Sequence, residues 1–299
     1  MRDTTTNSAI LVTGASGQVG SRVSSLLRAS GQQVLAVDID SSERENVQQC
    51  DITKNDQIAR LFDSVSIRTV IHLAAILPTA SRADPLAATE VNLTGTLGLL
   101  RVAVRRGVKR FVFGSSMSVY GSSPTSRVLN ERDAPAPDDP YGAAKRAVEL
   151  VGESLVAATG FGFVALRLAR VVGPGARRTA SSWRSQIFEP PGSPDHPSFL
   201  IPFAPTAQLS LVHVDEVARM LRLLVEVPDL PQHIYNSPAE VWQASQLAEQ
   251  VEEVTTVPVR LGDANGGPIA DGAMFVQDFG FRLRGLTYYL STRRGLTSA

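Results

Sequence analysis

Residues 9–20 read AILVTGASGQVG. Ala9 to Thr13 is a continuous apolar run closed by Gly14, the mark of a strand buried on both faces of a parallel sheet. Gly14, Gly17 and Gly20 then recur at three-residue spacing where a helix begins, with Val19, Val23, Leu26 and Leu27 at helical spacing and Gly31 as its stop. Working outward, the same unit repeats. VLAVDID (34–40) is a strand, IARLF (58–62) lies in a helix and TVIHLAA (69–75) is a third strand. A helical stretch from about Leu86 to Arg106 ends at Gly107, FVFGSS (111–116) is a strand, Tyr141 to Thr159 is helical and FVALRLARVV (163–172) is again a strand. This alternation predicts an α/β fold, a Rossmann-type doubly wound parallel sheet.

From Gly173 the texture changes to a proline-rich stretch, 174–199, with no clean period and room for one short helix. The sheet is expected to resume at LSLVHV (209–214), followed by a helix over Asp215–Val225 and a last strand at HIYNSP (233–238). Beyond Pro238 an amphipathic helix carries Trp242, Leu247, Val251 and Val254, and a short αβ tail completes the chain.

Composition excludes several classes of function. In 299 residues Lys+Arg 29 balances Asp+Glu 29, so no basic surface calls for nucleic acid or an anionic membrane. The partner expected is a small molecule. One cysteine, Cys50, and four histidines without ligand spacing argue against a disulfide framework and a metal site, and fit a reducing cytoplasm. The N-terminus has an acid at position 3 and no apolar run before Ile10, unlike a secretory or transit leader, and no apolar run reaches the ~20 residues of a bilayer span.

The glycine spacing places backbone close to a pyrophosphate and offers it the N–H groups of a helix start. Asp38 ends the second strand, 24 residues beyond Gly14, where a carboxylate accepts the adenosine ribose hydroxyls and repels a 2′-phosphate. NAD is therefore expected over NADP, although Arg44 in the next loop offers a 2′-phosphate some support. Tyr141 and Lys145 stand at i, i+4 on one helix face, a coincidence expected only ~0.05 times by chance with so few Tyr and Lys in the chain. A phenol exchanges protons near neutrality only when an adjacent ammonium lowers its pKa, and Lys145 is placed to do so. Ser116 ends the FVFGSS strand at the sheet edge where ligands bind, and its hydroxyl is suited to a substrate oxygen.

Taken in order, TGASGQVG, Asp38, DIT (51–53), HLAA (72–75), Asn92 in VNLTGT, SSMSVYG (115–121) and YGAAK (141–145) resemble the extended short-chain dehydrogenase/reductase family of the NAD-dependent epimerase/dehydratase type, over residues 8 to 240. The resemblance implies a catalytic trio of Ser116, Tyr141 and Lys145. It also implies cofactor contacts from Gly14, Ser16, Gly17, Gln18, Val19, Asp38 and Ile39. Asp51 and Ile52 would lie at the adenine, Leu73, Ala74 and Ala75 along the cofactor, and Asn92 near the nicotinamide. It further implies an NAD-binding domain of residues 8–172 plus about 213–237, a smaller C-terminal α/β substrate-binding part of 173–212 plus 238–299, and a homodimer through helices 86–106 and 141–159.

Three departures narrow the chemistry within that family. Met117 and Ser118 follow Ser116 where sugar-nucleotide dehydratases carry an Asp–Glu pair. LSLVHVDE (209–216) puts Leu209 where sugar-nucleotide epimerases carry an arginine for a phosphate. Arg170 replaces a frequent asparagine, and no second arginine clamp stands out in 266–282, so a nucleotide sugar would lack its bidentate partners. The segment TASSWRSQIFEPP (179–191) is instead similar to four-carbon acid dehydrogenases of the D-erythronate type and, more loosely, to short-chain L-threonine dehydrogenases. That similarity implies Ser181 and Ser182 near the substrate, and Arg170, Arg178 or Arg184 for a carboxylate; Ser118, beside Ser116, is a further substrate candidate. The expectation is an NAD-dependent oxidoreductase acting on a secondary alcohol of a hydroxy acid or polyol. A nucleotide-sugar 4-epimerase and a non-catalytic dinucleotide-binding protein stand as alternatives.

Overall fold

In the computed structural model, which describes residues 8–41, 46–125, 127–175, 182–188 and 198–292, all five residues of the first strand, β1 (Ala9–Thr13), are buried. It leads into α1 (Gln18–Ala29), β2 (Val34–Asp38), β3 (Gln48–Gln49), α2 (Asn55–Ser64) and β4 (Ile67–His72). The stretch expected as one helix is divided into α3 (Pro78–Ala83), α4 (Pro85–Thr89), a π-helical turn over Glu90–Gly95 and α5 (Thr96–Arg105). Next come β5 (Arg110–Ser116), a 3₁₀ turn over Met117–Tyr120, α6 (Pro140–Thr159), β6 (Phe163–Leu168), β7 (Arg170–Val172), α7 (Trp183–Gln186) and β8 (Phe199–Phe203). The chain continues through β9 (Gln208–His213), α8 (Val214–Glu226), β10 (Ile234–Asn236), β11 (Glu240–Gln243), α9 (Ala244–Thr255), β12 (Val259–Ala264), α10 (Ala273–Phe279) and α11 (Leu286–Thr292). Among the described residues no helix is long and apolar enough to cross a membrane.

Seven parallel strands form the central sheet in the order β10-β6-β5-β4-β1-β2-β3. The order reverses between β1 and β4, which opens a crevice at their carboxyl ends where a dinucleotide lies in such sheets. One face buries Val12, Val112 and Leu166 against Val23, Leu27 and Leu221, and the other buries Leu11, Val70 and Phe111 against Ile58, Leu99 and Val148. Apolar residues on both faces of each strand are what produced the unbroken runs in the sequence.

Two sequence expectations are corrected. FVALRLARVV is not one strand: β6 stays in the central sheet, the chain turns away at Ala169, and β7 opens a second sheet. LSLVHV does not return to the central sheet, because β9 is the middle of that second, three-stranded sheet, parallel to β7 and antiparallel to β11. The reason is local burial: Leu209 and Leu211 of β9 pack with Trp183, Ile201, Leu247 and Tyr289 in a third apolar cluster. A two-stranded pair, β8 with β12, borders it.

The chain passes between the central and second sheets at three places. β6 runs into β7 at Ala169, β9 into α8 at Val214, and β10 towards β11 through Ser237. The first and third crossings are tied together, since Ser237 Oγ accepts the Ala169 N–H at 2.9 Å and the Ser237 N–H donates to Arg167 O at 2.9 Å.

Two histidines are buried where desolvation outweighs any neighbouring charge. His72 is fully enclosed, its Nδ1 2.7 Å from Thr13 Oγ1 and its Nε2 2.8 Å from Thr96 Oγ1, and burial pushes its pKa down to about 3. His213 stacks at 3.7 Å on the Tyr289 ring, and burial pushes it down to about 4 despite Asp215 nearby. A folded pKa below the unfolded one means that the stability is fully present above about pH 6.5 and is lost as pH falls towards the folded values. Each histidine should therefore cost about 2 kcal/mol between pH 7 and pH 5. Thermal melts at the two pH values check this, and a His72→Gln protein should lose correspondingly less on acidification; an equal loss in both would contradict the assignment.

Candidate active site

The crevice is built from glycines first. Gly14 follows β1 with φ +69, and a Cβ there would lie 2.7 Å from Ala74 N, so no side chain fits without moving the backbone after β4. At Gly20 a Cβ would meet Gly14 O at 2.0 Å, which is how α1 comes to lie against the loop that precedes it. Gly17 caps α1, and neither a side-chain cap nor a first-turn acid occupies the helix start. Those free N–H groups and the helix dipole suit a pyrophosphate. Asp38, at the end of β2, accepts the Ser16 N–H at 2.9 Å on one carboxylate oxygen, which fixes its carboxylate beside the glycine loop. Ser16 Oγ donates to Asp40 O at 2.5 Å, while Ile39 is exposed. These groups fit a dinucleotide bearing free ribose hydroxyls. Arg44 lies outside the described residues.

Other expected cofactor residues have visible structural work. The Asp51 carboxylate accepts both the N–H and the hydroxyl of Thr53, at 2.9 and 2.8 Å, and Ile52 is buried beneath it. Thr13, which the sequence reading passed over, holds the strip that follows β4: its Oγ1 lies 3.2 Å from the Leu73 N–H and 3.3 Å from the Ala74 N–H. Ala75 continues that strip. Asn92, in the π-helical turn, spends both amide atoms on one residue, accepting the Ile76 N–H at 2.8 Å and donating to Ile76 O at 2.9 Å. It acts as a clasp on the same strip. Gln18 Nε2 reaches across to Gly173 O at 2.5 Å and so joins the start of α1 to the loop after β7, while Val19 packs on the core.

Across the crevice, Ser116 ends β5 in register with Leu168 of β6. Its Oγ accepts the Ser118 N–H at 3.1 Å and donates to Ser118 Oγ at 3.1 Å, so Ser118 steadies Ser116. Helix α6 brings up the other two members. Asp139 caps it by accepting the Gly142 N–H at 2.7 Å, Pro140 occupies its first turn, and Gly160 in the left-handed region closes it. Gly142 has no room for a Cβ, which would fall 2.3 Å from Ser118 O, and this close approach sets Tyr141 beside Ser116. Lys145 Nζ donates to Gly114 O at 2.7 Å and lies 5.5 Å from the centre of the Tyr141 ring.

Burial dominates the electrostatics. It pushes Tyr141 up to about 12, against which a hydrogen bond from Ser116 and the charge of Arg184 favour the phenolate. It also pushes Lys145 down to about 7, and the nearby charge of Glu149 favours the ammonium. Glu149 is a site residue that the sequence reading missed, although its signal was present: Tyr141, Lys145 and Glu149 repeat at i, i+4, i+8 on α6. Fully buried, it accepts the Ser115 hydroxyl at 2.6 Å and two bonds from Arg167 at 2.9 and 2.8 Å. Arg167 in turn donates to the Tyr120 hydroxyl at 2.7 Å.

The expected substrate residues are only partly brought together. Arg170 lies in β7, its guanidinium 4.5 Å from the centre of the Phe203 ring. Ser182 precedes α7 and its carbonyl accepts the Ser185 and Gln186 N–H groups at 2.9 Å. Ser181 and Arg178 lie outside the described residues.

Residues 10–237 match the model of the NAD dependent epimerase/dehydratase family. A UDP-glucuronate 4-epimerase of Thermodesulfobacterium geofontis is 34% identical over 193 residues, 58% of this chain and 59% of that protein, so the chain spans little more than half the length of that relative. The UDP-glucose 4-epimerase of Thermus thermophilus, solved in complex with NAD, superposes with a TM-score of 0.82 at 25% identity, covering 97% of this chain and 99% of the other. An L-threonine dehydrogenase from Phytophthora infestans shares the fold with a TM-score of 0.86 at 22% identity, over 97% and 99% of the two chains. With that match over most of its length, and with a glycine loop and Asp38 suited to the dinucleotide, the chain belongs to the NAD-dependent epimerase/dehydratase family, whose cofactor is NAD.

Proposed function

We propose that this protein is a dehydrogenase that oxidises the secondary alcohol of a small polar substrate, a hydroxy acid or polyol, or reduces the matching ketone. The observation that carries the reading is the gathering of Ser116, Tyr141 and Lys145 at the carboxyl edge of the sheet, opposite the glycine loop. Bound NAD supplies the hydride acceptor. Tyr141 takes the hydroxyl proton, Ser116 holds the same oxygen through a hydrogen bond, Arg184 favours the phenolate against the burial that raises its pKa, and Lys145 places its amine 5.5 Å from the centre of the phenol ring. Gly14, Gly17, Asp38 and the strip 73–75 hold the dinucleotide so that these groups face one carbon.

The competing reading is a nucleotide-sugar 4-epimerase, supported by the relatives' activities. Against it stands Leu209, fully buried in the third apolar cluster, so that position offers no cation to a nucleotide phosphate. In the same reading, residues 8–172 plus about 213–237 hold NAD, and 173–212 plus 238–299 hold the substrate. Two copies would pair through the exposed Leu86, Leu150 and Val151 on α4 and α6. NADH appearance with a panel of hydroxy acids, 3-hydroxy amino acids and polyols tests the proposal. Net NADH from one class is the expected result; interconversion of UDP-sugars without net NADH would replace it by the epimerase.

A further inference from the structure

His72 is enclosed between two threonine hydroxyls and two aromatic rings, and the main chain beside it decides where its proton sits. Thr13 Oγ1 accepts the Ala74 N–H at 3.3 Å, and with the Thr13 carbonyl, at 3.3 Å, it shares the Leu73 N–H, at 3.2 Å. An N–H only donates, so both lone pairs of the Thr13 hydroxyl are taken and its own hydrogen is left to give. It faces His72 Nδ1 at 2.7 Å, which must therefore be bare and accept. The neutral ring then carries its hydrogen on Nε2, where Thr96 Oγ1 stands at 2.8 Å to receive it. The doubly protonated ring is shut out by the same count, because an Nδ1–H would meet an oxygen with no lone pair left. Burial and the charge of Lys145 oppose it as well. Phe111 and Phe113 flank the ring, their centroids 5.9 and 6.0 Å away.

Thr96 opens α5 directly after the π-helical turn that carries Asn92, a kind of turn that recurs at functional sites. The strip after β4 is thus held at both ends from one element. Asn92 grips Ile76 by two bonds, and Thr96 reaches Leu73 and Ala74 through His72 and Thr13. Thr13, His72, Asn92 and Thr96 are each no more than 2% exposed, so water does not replace a lost partner. We infer that His72 is a positioning residue for the dinucleotide: fixed by Thr96 as the Nε2–H tautomer, it accepts the Thr13 hydroxyl and so leaves both lone pairs of that oxygen to the strip 73–75. The inference rests on the reading of that strip as a cofactor contact, which the dehydrogenase and the 4-epimerase share.

Nitrogen-15 NMR of the protein labelled in its histidine rings, with His72→Asn to assign the His72 pair among the four histidines, tests the tautomer apart from cofactor and turnover. At neutral pH Nδ1 should resonate as a bare nitrogen and Nε2 as a protonated one; the opposite tautomer, or an average of the two, would overturn the inference. Fluorescence titration with NADH tests the positioning. His72→Phe keeps a ring but offers Thr13 no acceptor, and should weaken NADH by ~10-fold, the effect of about one hydrogen bond. His72→Asn sets its Oδ1 near the place of Nδ1 and should stay within about threefold of the parent, although it fills the space less well. A role in packing alone predicts the reverse order. Thr96→Val keeps the shape of the side chain and removes the acceptor of the Nε2–H, so the Nδ1 signal should move towards that of a protonated nitrogen and NADH should bind more weakly. Signal and affinity both unchanged in Thr96→Val would overturn the inference. A parent that binds no NADH would remove the cofactor reading and the inference with it, whereas the expected order of affinities with no turnover of any alcohol would sustain the inference and remove the dehydrogenase.

Discussion

Replacing Tyr141 by Phe should reduce NADH formation by ~10³-fold or more while NAD affinity stays within about twofold. The substitution removes one oxygen from a buried ring and leaves every apolar contact of that ring in place, so the fold has no reason to change. What disappears is the group proposed to take the substrate proton and the partner of the Ser116 hydroxyl. No other phenol stands in for it: Tyr120 is committed to Asn130 O and Asn236, and Tyr235 to Asp278. Steady-state rates on the best substrate of the panel, with NAD titrated by fluorescence, check the two halves separately. Activity within tenfold of the parent would remove Tyr141 from the chemistry; lost NAD binding would recast it as a cofactor contact.

The largest stability effect is expected at the Glu149–Arg167 pair. Arg167→Met leaves the Glu149 carboxylate fully buried with Ser115 and Arg146 as its remaining partners, a change that costs about 3–5 kcal/mol. For a chain of this size the melting temperature should fall by about 8 °C. Removing both charges, Glu149→Leu with Arg167→Met, should recover most of that loss, since a buried pair exchanged for apolar groups is close to neutral. A single variant that melts like the parent would show the pair to be solvated in solution. Because Glu149 favours the charged form of Lys145, the double variant should also move the pH profile of turnover, an effect that packing alone would not produce.

The sequence was most legible where backbone is constrained. The glycines of 14–20 are dictated by close approaches of main chain, and the apolar runs by burial on both faces of a parallel sheet, so β1, β2, β4, β5 and β6 lie where the pattern put them. Tyr141 and Lys145 were found because helical spacing brings two scarce residue types onto one face. Glu149 escaped because a carboxylate one turn further along looks like a solvated helix face until Arg167, from a strand, is packed against it. The second sheet escaped for a related reason. LSLVHV has the texture of any buried strand, and only its partners β7 and β11 decide which sheet receives it. Asn92 and Asp51 were legible as positions; their side chains are spent on neighbouring backbone, which spacing does not reveal.

The three crossings between the two sheets have a mechanical consequence. A body joined to another by one strand can swing, and one joined by two can still bend about the line between them; a third attachment off that line leaves no free axis. With Ala169 and Ser237 bonded to each other and Val214 at the head of a helix packed on the central core, the second sheet is braced against the first. The brace therefore opposes the slow closure of one sheet upon the other. Hydrogen exchange should accordingly be uniform and slow across β6, β7 and β9.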